Sequence, residues 1–256
     1  MGPYRRPAGA GTQPDHDHQK VCSVVGGQYG GHCSIVVAAW EGGRRKGSAA
    51  GQARSYLNLW GEEIPRAEWA VIGEAEWVAL VDPRSQIAGR PAFAVDVTPD
   101  RSWASIAAAG RRADGIHHVE LVDHAPGVSW VAARVVELRE RHSPLAVIVD
   151  PASAAGAIIP ALEAARIEVI KPTARDVAAA AGAFYDLTRP DVAGLRHLGQ
   201  TVLDAAVAGA AQRPLADAWT WNRRGSTVVI SPLVAVSLAA WGHSRAPGLQ
   251  LFTFAG

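Results

Sequence analysis

LAVIVD, Leu145 to Asp150, is an unbroken apolar run that stops abruptly on a carboxylate. A strand with one wet face alternates apolar and polar residues. A run without alternation belongs to a strand covered on both faces, as in the centre of a parallel sheet. The sequence after it alternates in the manner of an α/β chain: helix from about Ala154 to Ala165, strand Glu168 to Ile170, helix Arg175 to Tyr185. Before it, Trp130, Val131, Val135 and Leu138 mark one face of a helix whose other face carries Arg134, Glu137 and Arg141.

Further toward the N-terminus, Ala92 to Val97 reads as a buried strand. Turn residues Thr98, Pro99 and Asp100 follow, and Ser102 to Ala108 returns as the second arm of a hairpin. A third strand is expected at Ile116 to Val122. In the final third, an alanine-rich helix spans about Thr201 to Ala211, the connection WTWNRRGST carries two arginines, and a last helix covers about Pro232 to Trp241. Ser231 is placed to cap that helix, with Pro232 in the first helical position. Trp219 and Trp221 alternate as in a strand that packs one face into a core. Three strands, a helix, then alternating strands and helices predict an α/β fold with a ribonuclease-H-like mixed sheet flanked by helices.

The rest of the chain is less patterned. Residues 1–53 are rich in Gly, Arg and polar residues and are expected to be poorly ordered or unrelated to the domain, apart from the short apolar run Ser34 to Trp40. The folded domain is expected over 54–245, with a tail over 246–256. Of 256 residues 48% are hydrophobic, ample for a core, while a net charge of +1 excludes binding to nucleic acid through a global basic field. Two cysteines and no signal sequence point to a reducing cytosol. No apolar stretch is long enough to span a membrane. His16, His18, Cys22, His32 and Cys33 match no standard spacing of zinc ligands and are read as incidental.

Two acids stand out. Asp96 lies inside the apolar strand FAVDV and Asp150 closes LAVIVD. A buried carboxylate needs a metal, a cation or several donors, so both are candidate metal ligands; the alternative is that each is a cap or turn acid at a strand end. Arg101, Lys171, Arg223 and Arg224 are candidates for phosphate contacts beside them, with solvated surface charge as the alternative.

The stretch from about Arg54 to Trp241 resembles the C-terminal nuclease domain of phage terminase large subunits, especially those of actinobacterial phages and prophages. The resemblance is carried by RSYLNLWGEE, DPRSQIAGRPAFAVDVTPDRSWASIAAAG, VIVDPASAAG, GAFYDL, LRHLGQTVLDAAVAGA, DAWTWNRRGS and ISPLVAVSLAAWG, taken in order. It implies a ribonuclease-H-like domain that binds Mg2+ or Mn2+ and cuts double-stranded DNA by a two-metal mechanism during packaging. Asp96 matches the family's first-strand catalytic aspartate and Asp150 the one that ends the fourth strand. The third acid of the family stands just before the ISPL-type segment, where this chain has Val229. Either another acid such as Asp217 or Asp176 replaces it, or metal binding and cleavage are reduced or lost, leaving a prophage remnant that keeps the fold and DNA or partner binding.

The resemblance also implies partners, namely a terminase small subunit, a portal protein or a separate ATPase, and the cytoplasm of a bacterial host. The phosphate-binding loop of a packaging ATPase is not found in the sequence, since GGRRKGS at Gly42 to Ser48 has the wrong spacing. That is the pattern expected of a truncated or rearranged gene product.

Overall fold

The computed structural model describes residues 69–246. The segment 1–53 with its His and Cys residues, the junction RSYLNLWGEE and the tail from residue 247 onward lie outside the described residues.

LAVIVD takes the central place its texture demands. Strand β4 (Ala146–Val149) is buried at all four positions. It runs parallel to both neighbours, β1 (Ala92–Val97) and β5 (Val169–Ile170). β1 pairs antiparallel with β2 (Trp103–Arg111), and β2 with β3 (His117–Pro126). β6 (Leu195–His197) then adds to β3 in parallel, giving the order β5-β4-β1-β2-β3-β6. The return strand and the third strand both run longer than the sequence predicts. Their pairing is carried past a register shift between Ile106 and Ala107, a local irregularity with no sequence signature.

The sheet has two unequal faces. Phe93, Val95 and Val97 of β1 point to one side, where they meet Val131, Val135 and Leu138 of α2 (Val131–His142) and Leu162 of α3 (Ile159–Ala164). Ala92 and Ala94 point to the other, together with Ala107 and Ala109 of β2. These small side chains let α6 (Ser231–Arg245) lie close across β1 to β4. Gly242 belongs to the same fit, because a Cβ there would run into the Ile148 side chain. The outer side of α6 is covered by α4 (Ala174–Thr188) and α5 (Thr201–Ala208). A helix buried nearly all round carries no polar stripe, which is what VAVSLAAWG shows.

Three local expectations need correction. The helix expected over 154–165 is split into a 3-10 turn, Ala154–Ile158, followed by α3. Pro160 has no N–H to give to a preceding turn, so the α-helix restarts with proline in its first turn. WTWNRRGST is not wholly a connection: its first residues end β8 (Ala218–Trp221), which forms a hairpin with β7 (Gln212–Leu215). Ser231 is not a cap, since the cap position is Ile230 and no side chain serves it. The Ser231 hydroxyl instead lies 2.8 Å from the hydroxyl of Ser105, a fully buried β2 residue that needs a partner.

Trp219 and Trp221 do alternate on a strand. Trp221 is buried and donates its indole N–H to Ser237 Oγ at 3.0 Å, and Trp219 packs edge-on against it. A short helix, α1 (Glu74–Val78), closes the β6 edge. Trp77 from it stacks on His197 and donates to Asp204 at 2.7 Å. None of the described helices is long and apolar enough to cross a membrane.

Candidate active site

Parallel pairing of β1 with β4 decides the site. Val95 stands opposite Val149, so one residue further along Asp96 and Asp150 come side by side at the ends of adjacent strands. Alternation along β1 turns Asp96 toward α6, in line with Ala92 and Ala94. Asp96 is fully buried and Asp150 is 5% exposed. Asp150 also serves its own turn, accepting the Ala152 N–H at 2.9 Å on Oδ1, so it is a turn acid and a site acid together.

The group that faces both carboxylates is Arg223. Its Nε donates to Asp96 Oδ1 and Oδ2 at 3.1 and 3.3 Å, and Nη2 donates to Asp96 Oδ1 at 2.8 Å. The same Nη2 reaches Asp150 Oδ2 at 3.5 Å. Arg223 follows β8 in a tight turn, in which Asn222 Oδ1 accepts the Gly225 N–H at 2.9 Å. Burial pushes the Asp96 carboxyl up from its ordinary value, and the Arg223 charge works against that rise. Burial disfavours the charged guanidinium as well, but the neighbouring carboxylates outweigh it and hold the Arg223 pKa above its usual value.

Two clefts open beside this trio. One of about 500 Å3 is lined by Ser153, Arg213, Asn222, Arg223 and Arg224. The other, of about 310 Å3, is lined by Asp96, Ser102, Arg223, Arg224, Val229 and Ser231. Val229, 39% exposed, therefore borders the same cleft as Asp96. Asp176 and Asp217 do not join the pair. Asp176 caps α4, accepting from the Thr173 backbone and hydroxyl at 3.0 and 2.7 Å, and Asp217 sits in the β7–β8 turn on a separate groove beside α4.

Among the arginines and lysine singled out in the sequence, Arg224 lines both clefts and Arg101 is exposed in the β1–β2 turn. Lys171 follows β5, but its ammonium pairs with Glu163 at 2.6 Å and lines neither cleft. Two features escaped the sequence reading. Arg213 reaches the larger cleft from β7, a strand that its polar, proline-containing sequence QRPL does not announce. Beside Asp96, Ser105 Oγ lies 2.9 Å from His124 Nδ1 as well as against Ser231, and His124 stacks on Trp103 with ring centroids 4.7 Å apart. Only the strand pairing brings that polar row together.

A pair of divalent ions does not fit this donor set as it stands. Such centres use several oxygen ligands, usually with three or four acids between two ions. Here two carboxylates converge, no group of three or more potential metal-ligating side chains exists among the described residues, and a guanidinium lies between the two acids.

No family model matches the chain. No curated protein matches it either. Solved structures do. The large terminase of bacteriophage HK97 superposes with a TM-score of 0.54 at 13% identity, covering 66% of this chain and 42% of that one. The large terminase nuclease of thermophilic phage G20c gives a TM-score of 0.47 at 13% identity, over 59% of this chain and 81% of that one. The same nuclease with bound magnesium gives 0.48 at 12% identity, over 62% and 83%. The chain thus spans less than half the length of the HK97 protein that it matches. At this identity the likeness concerns the fold, and the fold, a ribonuclease-H-like mixed sheet with flanking helices, is shared with the HK97 large terminase.

Proposed function

We propose that this chain acts on double-stranded DNA as the nuclease-type domain of a phage DNA-packaging terminase, with its hydrolytic centre at Asp96 and Asp150 impaired. The observation that carries the second half is the position of Arg223, hydrogen-bonded to one carboxylate and in contact with the other. Val229 at the rim of the Asp96 cleft, where the terminase pattern has an acid, points the same way. DNA is read from the cationic mouth: Arg213 and Arg224 line the clefts and Arg101 stands exposed in the β1–β2 turn at the same end of the sheet. Guanidinium groups bind phosphate as paired donors. This reading sets the protein in the cytoplasm of a bacterial host and gives it a terminase small subunit, a portal protein or a separate ATPase as partners.

A second reading is favoured by the convergence of two acids at the ends of adjacent parallel strands. It is an active endonuclease that uses Mg2+ or Mn2+, with Asp96 and Asp150 as ligands. A plasmid assay separates the two. The impaired domain shifts the mobility of plasmid DNA but leaves it supercoiled in Mn2+, as wild type and as Val229→Asp. Nicking by wild type that is lost in Asp96→Asn establishes the active enzyme instead, and failure to bind DNA at low salt removes both.

A further inference from the structure

Two carboxylates taken out of water beside each other repel, and each is disfavoured by burial unless a cation stands with them. In metal-dependent centres that cation is a divalent ion. In this chain it is a side chain: the Arg223 guanidinium meets both oxygens of Asp96 with Nε and reaches Asp150 with the Nη2 that also holds Asp96. Its planar fork suits a carboxylate better than an ammonium does.

We infer that Arg223 is the resident counter-cation of the Asp96–Asp150 pair, so that this side chain and a divalent metal ion exclude each other there. Three features keep the guanidinium in place. The turn that bears it is tied by Asn222 to Gly225 and by the Asn222 carbonyl to Ser226 at 2.7 Å. Both adjoining clefts into which the side chain could swing carry Arg224, and the larger carries Arg213 as well, so Arg223 meets like charge outside and opposite charge inside. Val229 on the rim supplies no oxygen to draw a metal ion in.

Removal of the guanidinium leaves two buried carboxyl groups with no counter-ion, a pair that must take up a proton or a divalent cation in its place. The inference stands whether or not the chain binds DNA, because its test contains none. Free Mn2+ is followed by its paramagnetic resonance signal during titration of the purified protein, and melting is followed in chelator and in Mn2+. Wild type is expected to bind no Mn2+ saturably below about 1 mM, the weak end of protein cation sites, and to melt at the same temperature in both conditions. Arg223→Gln is expected to bind Mn2+ at least about tenfold more tightly, to melt lower in chelator and to recover in Mn2+. Arg223→Lys, which keeps a cation, is expected to follow wild type. Saturable wild-type binding below about 1 mM, or equal Mn2+ affinity in wild type and Arg223→Gln, overturns the inference. If Arg223→Gln does not fold, saturable wild-type binding still overturns the inference, and Arg223→Met with Asp96 retained supplies the comparison of affinities.

Discussion

The two ends of the central sheet bury ionisable groups by opposite means. Where β1 and β4 finish, Asp96 and Asp150 stand with Arg223, so two acids are met by a cation. Where β1 and β3 begin, His117 and His243 are 5% and 3% exposed, and Nδ1 of each has no hydrogen-bond partner among the described residues. Burial, then the nearby Arg111 and His243, holds the His117 pKa down at about 4. Burial and Arg111 also lower that of His243. At neutral pH the His117 imidazole is therefore uncharged. The difference lies in the neighbours: a buried carboxylate beside a guanidinium gains by keeping its charge, whereas a buried imidazole beside a guanidinium gains by having none.

The largest expected effect breaks the paired end. Arg223→Met in chelator should cost about 3–5 kcal/mol in urea unfolding, because it strands two buried carboxylates, and adding Asp96→Asn should return a substantial part of that loss. A loss below about 1 kcal/mol would mean that the trio is not held as a unit.

At the histidine end the lever is pH. The folded pKa of His117 lies below its ordinary 6.5, so the unfolded chain takes the proton first. Stability is full above pH 6.5 and falls as pH drops toward 4, by about 3 kcal/mol from this one residue. The difference between wild type and His117→Gln across that window isolates it, and parallel curves would show that burial of this imidazole does not control the acid limb.

A smaller effect tests the polar row at the paired end. Ser105→Ala removes the hydroxyl that meets both Ser231 and His124, and should cost about 1–3 kcal/mol, since it leaves buried polar groups unsatisfied. Thermal unfolding measures it. The smallest effect sharpens the proposed DNA surface: Arg224→Ala should lower the slope of log affinity against log salt by about 1, and Lys171→Ala, whose ammonium is engaged by Glu163, should change it less. Fluorescence anisotropy on duplex DNA over a salt series compares the two variants.

What the sequence makes legible is local. LAVIVD announced a doubly covered strand because burial on both faces removes alternation, and the β1–β2 hairpin followed from its turn residues. The final helix was legible from its proline start, and Asp96 and Asp150 from their placement against apolar runs. Arg223 is legible as an arginine in a loop, which predicts a phosphate contact. Its actual partner, Asp96, is 127 positions away in the chain, and no periodicity reports such a pairing. Ser231 was misread for the same reason: its position matches a helix cap, while its hydroxyl goes to Ser105, 126 positions away. Arg213 was missed because the edge hairpin that presents it is polar and carries a proline, leaving no apolar period to find.

The sequence by itself determined the layering of this protein and the positions of two acids at strand ends, because burial and chain direction are written in neighbouring residues. The tertiary structure decided what those acids meet. It joined the Arg223 turn to β1 and β4 and left Asp176 and Asp217 outside the site. The physical reason is that a charge buried in a sheet takes whichever counter-charge folding brings within hydrogen-bond reach, and that is set by packing across the whole chain.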